Sequence, residues 1–193
     1  MKPKKPKIVF ITGGVRSGKS SFAEKLAGNL GQKIAFIATA QSLDKEMEDR
    51  IAQHRANRPV HWETYEEPYQ VAQVIQKVRE KTEVEVILLD CLALLVSNLM
   101  QNYQQDSSNN GLAEKIIWKI NEITSEATQC SATVIIVSNE VGLGLVPANP
   151  MGRFFRDILG KANQIIASSS DEVYLMVAGI PLLIKGKSDE AYL

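Results

Sequence analysis

Short apolar runs alternate with longer amphipathic segments along most of the chain. The apolar runs at residues 7–12, 33–39, 84–90 and 132–138 have the length and β-branched content of buried strands. Between them, apolar side chains recur three or four positions apart, as one face of a helix requires. This spacing predicts helices over about residues 20–27, 43–56, 66–78, 92–103, 112–129 and 151–168. The alternation of strand and helix predicts an α/β fold, a mostly parallel sheet with helices on both faces.

Local signals refine these elements. Ser42 is placed to cap the helix that follows it, with Glu46 near the capping-box position. A further short strand is expected at Val60–Thr64, where alternation sets His61 opposite Trp62 and gives the histidine a structural role. The polar stretch 101–111 lacks periodicity and predicts a mobile loop, serving as a lid or a subunit contact.

The C-terminal third predicts the edge of the sheet. Two apolar runs, 171–177 and 182–185, flank the turn sequence Ala178-Gly179-Ile180-Pro181. This pattern predicts a terminal hairpin and therefore one antiparallel edge strand on the otherwise parallel sheet.

Composition narrows the class of protein. A chain of 193 residues is most simply a single domain, here residues 8–193, preceded by a basic, solvated tail at residues 1–7. Lys plus Arg and Asp plus Glu each number 22, so no basic field exists to hold nucleic acid. The most apolar stretch, 86–96, is too short to span a membrane and contains Asp90. We expect a cytoplasmic protein whose cysteines, Cys91 and Cys130, are buried free thiols.

A glycine-rich motif lies between the first strand and the first helix. It satisfies the pattern G-x-x-x-x-G-K-[ST] with the residues Gly13, Gly14, Val15, Arg16, Ser17, Gly18, Lys19 and Ser20. In this context the backbone N–H groups and the helix N-terminus cradle the phosphates of a nucleotide. Lys19 is expected to reach the β- and γ-phosphates and the Ser20 hydroxyl to bind Mg²⁺.

Polar residues follow the other predicted strands at the edge where parallel sheets bind ligands. Asp90 ends the run 84–90 as a Walker B carboxylate would, which makes it a second Mg²⁺ ligand. Thr39-Ala40-Gln41 ends the second strand, and Asn139 to Gly144 follows the fourth. The last segment is either a functional loop or a plain turn.

His54 admits two interpretations. It continues the apolar stripe of Leu43, Met47 and Ile51, which favours a packed core residue. It is also surrounded by the basic residues Arg50, Arg55 and Arg58, which would suit a nucleophile or phosphate contact.

Arg153 and Arg156 leave a similar choice between reaching a phosphate and forming a solvated helix face.

Several segments together resemble one enzyme family. They are the phosphate loop with Thr12, and the runs Ile37-Ala38-Thr39-Ala40-Gln41, Asp49-Arg50-Ile51-Ala52-Gln53-His54-Arg55, Val60-His61-Trp62-Glu63-Thr64, Val137-Ser138-Asn139-Glu140-Val141-Gly142 and Phe155-Arg156-Asp157-Ile158-Leu159-Gly160. Over about residues 7–186 the chain resembles the bifunctional adenosylcobinamide kinase / adenosylcobinamide-phosphate guanylyltransferase family of cobalamin biosynthesis.

The resemblance implies a RecA-like P-loop fold, a homotrimer and two reactions. The enzyme would phosphorylate adenosylcobinamide with a nucleoside triphosphate, GTP or ATP, and then transfer GMP from GTP to adenosylcobinamide phosphate through a guanylyl-histidine. By position, that histidine is His54, with Lys19 as the second catalytic residue, and the helix that bears His54 must approach the phosphates. Nucleotide contacts are implied at residues 13–20 and at Thr39, Ala40, Gln41, Arg55, Ala56, Asn57, Arg58, Glu66 and Asp90, and Mg²⁺ at Ser20 and Asp90.

One departure and two rival functions remain. The family often has Glu where this chain has Asp90, which preserves the carboxylate but changes its reach. A simple P-loop small-molecule kinase would use the same loop without a covalent intermediate. A RecA-like DNA-binding ATPase is disfavoured by the zero net charge.

Overall fold

The described chain alternates strands and helices as the sequence predicts. The computed structural model describes residues 8–42, 44–103 and 109–186, and within these it describes residues 46, 50, 54, 57, 109 and 110 by their backbone alone. The strands are β1 (Ile8–Gly13), β2 (Ile34–Ala38), β3 (Glu63–Glu66), β4 (Val86–Asp90), β5 (Thr133–Val137), β6 (Glu172–Val177) and β7 (Ile180–Lys185). The helices are α1 (Lys19–Leu30), α2 (Lys45–Asn57), α3 (Val71–Arg79), α4 (Leu92–Tyr103), α5 (Asn109–Thr128) and α6 (Pro150–Ser169).

The strands form one sheet of seven in the order β3-β2-β4-β5-β1-β6-β7. Every neighbouring pair is parallel except β6 and β7, which form the predicted antiparallel edge hairpin. Residues of β1, β4 and β5 are almost entirely buried because the sheet is covered there by helices. The predicted α/β fold is confirmed, and the carboxyl ends of β1, β2, β4 and β5 meet at one edge.

The beginning of α2 differs from the prediction. Asp44, not Ser42, is its N-cap, and the Asp44 carboxylate accepts a hydrogen bond from the Met47 backbone N–H at 2.8 Å. The capping box was therefore assigned to the wrong residue, since Asp and Ser are equally good caps and sequence spacing does not separate them. The Glu46 side chain and Leu43, which that prediction also involved, lie outside the described residues.

The region between α2 and α3 was also predicted wrongly. The strand begins at Glu63 rather than Val60, because Val60 and His61 lie in an exposed turn before the buried Trp62. Glu66 is the last residue of β3 and does not open a helix. The Glu67 carboxylate instead accepts bonds from the backbone N–H groups of Tyr69 and Gln70, both at 2.9 Å, and this turn delays α3 until Val71.

The polar stretch predicted as a loop is helical at both of its ends. Helix α4 continues to Tyr103 and α5 begins at Asn109, because a polar sequence with no Gly or Pro before Gly111 can extend a helix into solvent. Residues 104–108, the predicted tail 1–7 and residues 187–193 lie outside the described residues. Within the described part of the chain, no helix combines the length and apolarity needed to cross a bilayer.

Candidate nucleotide-binding site

The glycine-rich motif forms a tight loop between β1 and α1. Gly13 has φ of 154° and Gly18 has φ of 92°, values that side chains disfavour. A Cβ on Gly13 would lie 2.6 Å from the Met176 carbonyl oxygen and 2.8 Å from Ser17 Oγ. Both glycines are therefore required by the backbone path.

The two strands that flank β1 hold this loop in place. After β5, the Glu140 backbone N–H donates to the Gly13 carbonyl at 2.9 Å. After β6, the Gly179 N–H donates to the Ser17 carbonyl at 3.0 Å. The loop is thus braced from both sides, as a site for phosphate groups requires.

Lys19 begins α1 and is almost completely buried. Its Nζ donates to the Gly14 carbonyl at 2.6 Å, so the ammonium lies back across the loop. Burial lowers the pKa of Lys19, while the nearby Cys91 and Asp90 raise it. A phosphate in the loop would compensate the same burial and hold the ammonium charged.

A cleft of about 620 Å³ extends from the loop to α2. This volume falls in the range that small-molecule ligands occupy. The residues predicted for the site that line it are Val15, Ser20, Ala40, Arg55, Arg58, Glu66 and Asp90. The cleft is also lined by residues that were not predicted, which are Phe36, Ala38, Ser42, Met47, Glu48, Ile51, Ala52, Cys91, Leu94 and Asn139.

The donor groups in the cleft suit a hard divalent cation. Ser20 and Asp90 line the same cleft and offer a hydroxyl and a carboxylate. Magnesium prefers such oxygen ligands and completes its shell with water and substrate phosphates. Two such ligands fit an ion that is shared with the phosphates of a nucleotide. Among the described residues no three His, Cys, Asp or Glu side chains form a metal cluster.

Thr39 and Gln41 do not line the cleft. The fully buried Thr39 hydroxyl donates to the Cys91 carbonyl at 2.7 Å and accepts from the Cys91 N–H at 2.9 Å, which ties β2 to β4. The Gln41 side-chain oxygen accepts from the Tyr69 hydroxyl at 3.1 Å. Their side chains therefore support the edge where Ala40 and Asp90 reach the cleft.

Asn98 is a structural residue of this edge that sequence reasoning missed. Its buried amide donates to the Thr39 carbonyl at 2.8 Å and to the Pro68 carbonyl at 3.1 Å. It thereby holds the end of β2 against the turn that follows Glu66. The available signal was a lone amide among the apolar residues of α4, since such a group is seldom buried without partners.

Two arginines form the wall of the cleft nearest α2. Arg55 forms an ion pair with Glu66, and both side chains remain about half-exposed. The Arg58 guanidinium lies 3.4 Å from the centre of the Phe36 ring and donates to Thr64 Oγ1 at 3.1 Å. Burial lowers the pKa of Arg58, and the carboxylates of Glu24, Asp90 and Glu66 oppose that shift.

The structure describes His54 by its backbone position in α2. It lies in α2 one residue before Arg55, while its side chain, like that of Asn57, lies outside the described residues. Met47 and Ile51 face the cleft, so the apolar stripe of α2 lines the ligand cavity. Ala56 is exposed and does not line the cleft.

Arg153 and Arg156 both hold the loop that precedes α6. Arg156 Nη2 donates to the Gly142 carbonyl at 2.6 Å, and Arg153 Nη1 donates to the carbonyls of Pro147 at 3.0 Å and Ala148 at 2.6 Å. Neither of the two roles predicted for these arginines, a phosphate contact or a solvated helix face, describes this arrangement. The guanidinium groups organise a loop that starts beside the phosphate-binding loop.

Comparison with known proteins identifies the family. The family model described as cobinamide kinase / cobinamide phosphate guanyltransferase matches residues 9–184. The chain belongs to this family. The resemblance seen in the sequence is therefore confirmed.

Curated relatives match over nearly their whole length. The bifunctional adenosylcobalamin biosynthesis protein CobU of Escherichia coli is 39% identical over 183 residues, which are 92% of this chain and 99% of that protein. The protein of the same name from Salmonella typhimurium gives the same values. The bifunctional adenosylcobalamin biosynthesis protein CobP of Pseudomonas aeruginosa is 40% identical over 178 residues, 92% of this chain and 97% of that protein.

Proposed function

We propose that this enzyme carries out two successive reactions at the cleft between the phosphate-binding loop and α2. It phosphorylates the aminopropanol hydroxyl of adenosylcobinamide, and it then transfers GMP from GTP to the resulting phosphate. The observation that supports this proposal is that Ser20 and Asp90 line the same cleft as Arg55 and Glu66. The candidate Mg²⁺ ligands and the charged residues of α2 and β3 thus line one cavity of a size that small-molecule ligands occupy.

In the kinase reaction the substrate hydroxyl attacks the γ-phosphorus of GTP or ATP. The bond between that phosphorus and the β–γ bridging oxygen breaks, and the nucleoside diphosphate leaves while the hydroxyl proton passes to water or a phosphate oxygen. Lys19 and the loop amides would hold the β- and γ-phosphates and stabilise the charge that builds up there. A loose transition state makes little demand on a general base.

In the transferase reaction an unprotonated imidazole nitrogen of His54 attacks the α-phosphorus of GTP. A nitrogen–phosphorus bond forms and pyrophosphate leaves. A phosphate oxygen of adenosylcobinamide phosphate then attacks the same phosphorus, the nitrogen–phosphorus bond breaks, and adenosylcobinamide-GDP is released with free imidazole. A neutral imidazole is a competent nucleophile near pH 7.

Magnesium would be held by the Ser20 hydroxyl and the Asp90 carboxylate together with phosphate oxygens. When bound, it neutralises phosphate charge in either reaction. Asp90 is one methylene shorter than the Glu common in the family, so we expect its contact to the ion to run through water.

The remaining contacts complete the proposal. We assign nucleotide contacts to residues 13–20 and to Thr39, Ala40, Gln41, Arg55, Ala56, Asn57, Arg58, Glu66 and Asp90. For Thr39 and Gln41 the side chains support neighbouring backbone, so their contacts would come from the main chain. We also propose that the enzyme acts as a homotrimer in the cytoplasm.

Covalent labelling tests the guanylyl-histidine directly. The purified protein is incubated with Mg²⁺ and α-³²P-GTP and then separated under denaturing conditions. The chain has two histidines, so His54→Asn and His61→Asn form a matched pair. We expect an acid-labile, base-stable label on the wild type and on His61→Asn, and none on His54→Asn.

The alternative is a simple P-loop kinase without a covalent intermediate. In that case the wild type would bind GTP and phosphorylate cobinamide but take up no label. Kinase activity in His54→Asn would then equal that of the wild type, and the transferase half of the proposal would be lost.

A further inference from the structure

The loop that joins β5 to α6 exposes an unusual amount of aliphatic surface. Leu143 is 86% exposed, Leu145 is 96% exposed and Val146 is 70% exposed. Large apolar side chains that are this exposed and this close in sequence mark a surface that binds a ligand or another protein.

This loop is held in a defined shape. Its carbonyl groups at Gly142, Pro147 and Ala148 accept bonds from the guanidinium groups of α6. At its end the Asn149 side chain caps α6 by accepting from the Gly152 N–H at 2.6 Å. The aliphatic side chains are therefore presented on a backbone fixed at several points, which lowers the entropy lost on binding a ligand.

The same loop begins at the nucleotide cleft. Asn139 lines the cleft, and the Glu140 N–H bonds to the Gly13 carbonyl. Three residues of chain extend at most about 11 Å, so Leu143 lies within that distance of Glu140. On the cleft side Val15 is 75% exposed and also lines the cavity. Leu143, the first of these exposed aliphatic residues, therefore lies close to the backbone that braces the phosphate-binding loop.

The proposed acceptor substrate explains this placement. A cleft of about 620 Å³ accommodates a ligand of nucleotide size. A corrinoid bound at the same time must keep its macrocycle outside and insert only the arm that ends in the reacting hydroxyl or phosphate. A corrin ring carries methyl groups and amide arms on its periphery, which suit aliphatic side chains set among backbone polar groups.

We infer that Leu143, Leu145, Val146 and Val15 form the surface on which the corrin ring of the acceptor docks. The inference rests on the proposed function, because it takes the acceptor to be a corrinoid. A second copy of the chain is the competing occupant. The loop begins beside the cleft that the reacting arm of the acceptor must enter, which favours the acceptor over a second copy.

The test measures corrinoid binding apart from chemistry. Cobinamide is equilibrated by dialysis against the full-length protein, and the bound fraction is read from its visible absorbance. For the double variant Leu143→Ser/Leu145→Ser we expect the Kd for cobinamide to rise at least about tenfold, since two leucines that the bound ring would cover are replaced by polar groups. The KM for GTP should stay unchanged, and so should ³²P labelling by GTP alone, which needs no corrinoid.

Two controls separate docking from general damage. The double variant Leu143→Met/Leu145→Met keeps the aliphatic surface and should bind cobinamide like the wild type. Ile184→Ser removes a side chain of similar exposure from the edge strand β7, at 58%, and should leave cobinamide binding unchanged.

Three results would overturn the inference. The first is an unchanged Kd in the serine variant, and the second is a change in its assembly mass by light scattering, which would make the loop a subunit contact. The third is a wild type that does not bind cobinamide, which would also contradict the corrinoid acceptor of the proposed function. By contrast, a wild type that binds cobinamide through this surface but is not labelled by GTP would contradict only the proposed guanylyl transfer.

Discussion

The two walls of the nucleotide cleft are built in opposite ways. The phosphate-binding loop is pinned by backbone bonds from residues after β5 and β6, and Lys19 is buried beneath it. Helix α2 forms the other wall, and every side chain described in it is exposed or only half-buried. Its attachments to the sheet include the exposed Arg55–Glu66 pair and the contacts of Arg58 just beyond its end.

This difference matches the tasks that we assign to the two walls. Phosphate groups are stabilised best by donors that are already in place, because donors that must reorganise lose part of their effect. A histidine that accepts a nucleotide and passes it to a second substrate must meet two partners in turn. A helix with few buried contacts opens at low free-energy cost, so α2 is the wall that we expect to move.

The largest effect is expected in the phosphate-binding loop, where the packed backbone leaves no room for an added side chain. In Gly13→Ala the new Cβ meets the Met176 carbonyl oxygen at 2.6 Å, which would displace the loop. We expect a loss of about 3 kcal/mol in the free energy of unfolding and loss of GTP binding. The measurements are guanidinium denaturation and GTP titration.

Gly28→Ala in α1 is the matched control. A Cβ there meets nothing within 4 Å, and alanine favours a helix interior. This variant should be more stable than the wild type by about 0.5–1 kcal/mol. Equal, small effects of the two substitutions would show that the phosphate-binding loop is not sterically fixed.

Asn98→Leu should produce the next largest effect. It leaves the carbonyls of Thr39 and Pro68 without the amide that now bonds both. We expect a loss of about 1–3 kcal/mol in unfolding free energy and a rise in KM for GTP with a smaller change in kcat. Ser97→Ala, on the same helix but half-exposed, should change neither. A loss of unfolding free energy without any change in the KM for GTP would show that Asn98 stabilises the fold but does not position the nucleotide site.

The alternation of strands and helices and the mostly parallel sheet follow from sequence because buried parallel strands have a clear pattern of continuous apolar residues. The phosphate-binding loop follows for a similar reason, since its glycines are dictated by local backbone geometry. The start of α3 did not follow, because the turn made by the Glu67 carboxylate competes with helix formation and the outcome depends on the neighbouring β3. Asn98 was missed because its partners are 30 and 59 residues away in sequence.

The pair formed by Arg55 and Glu66 gives a smaller and more selective effect. Both side chains are about half-exposed, so solvent screens their attraction and Glu66→Gln should change the free energy of unfolding by less than about 0.5 kcal/mol. The same substitution removes a charge from the cleft lining, and we expect the KM for GTP to change severalfold. Denaturation and steady-state kinetics measured on one preparation check both statements. A stability loss above 1 kcal/mol, outside the range for exposed pairs, would show that α2 is held more tightly than its contacts indicate.

The cysteines give a prediction that needs no substitution, and their labelling measures how closed the wall formed by the phosphate-binding loop is. Burial, with help from Asp90, raises the pKa of the Cys91 thiol from 9.0 to about 12, and burial raises that of Cys130 to about 11. Because only the thiolate reacts, Cys91 should be alkylated by iodoacetamide at pH 8 about a thousandfold more slowly than in the unfolded chain, and Cys130 about a hundredfold more slowly. Mass spectrometry after timed labelling gives both rates. Cys91 also lines the cleft, so labelling as fast as that of Cys130 would mean that this wall opens along with α2 and would remove the contrast between them.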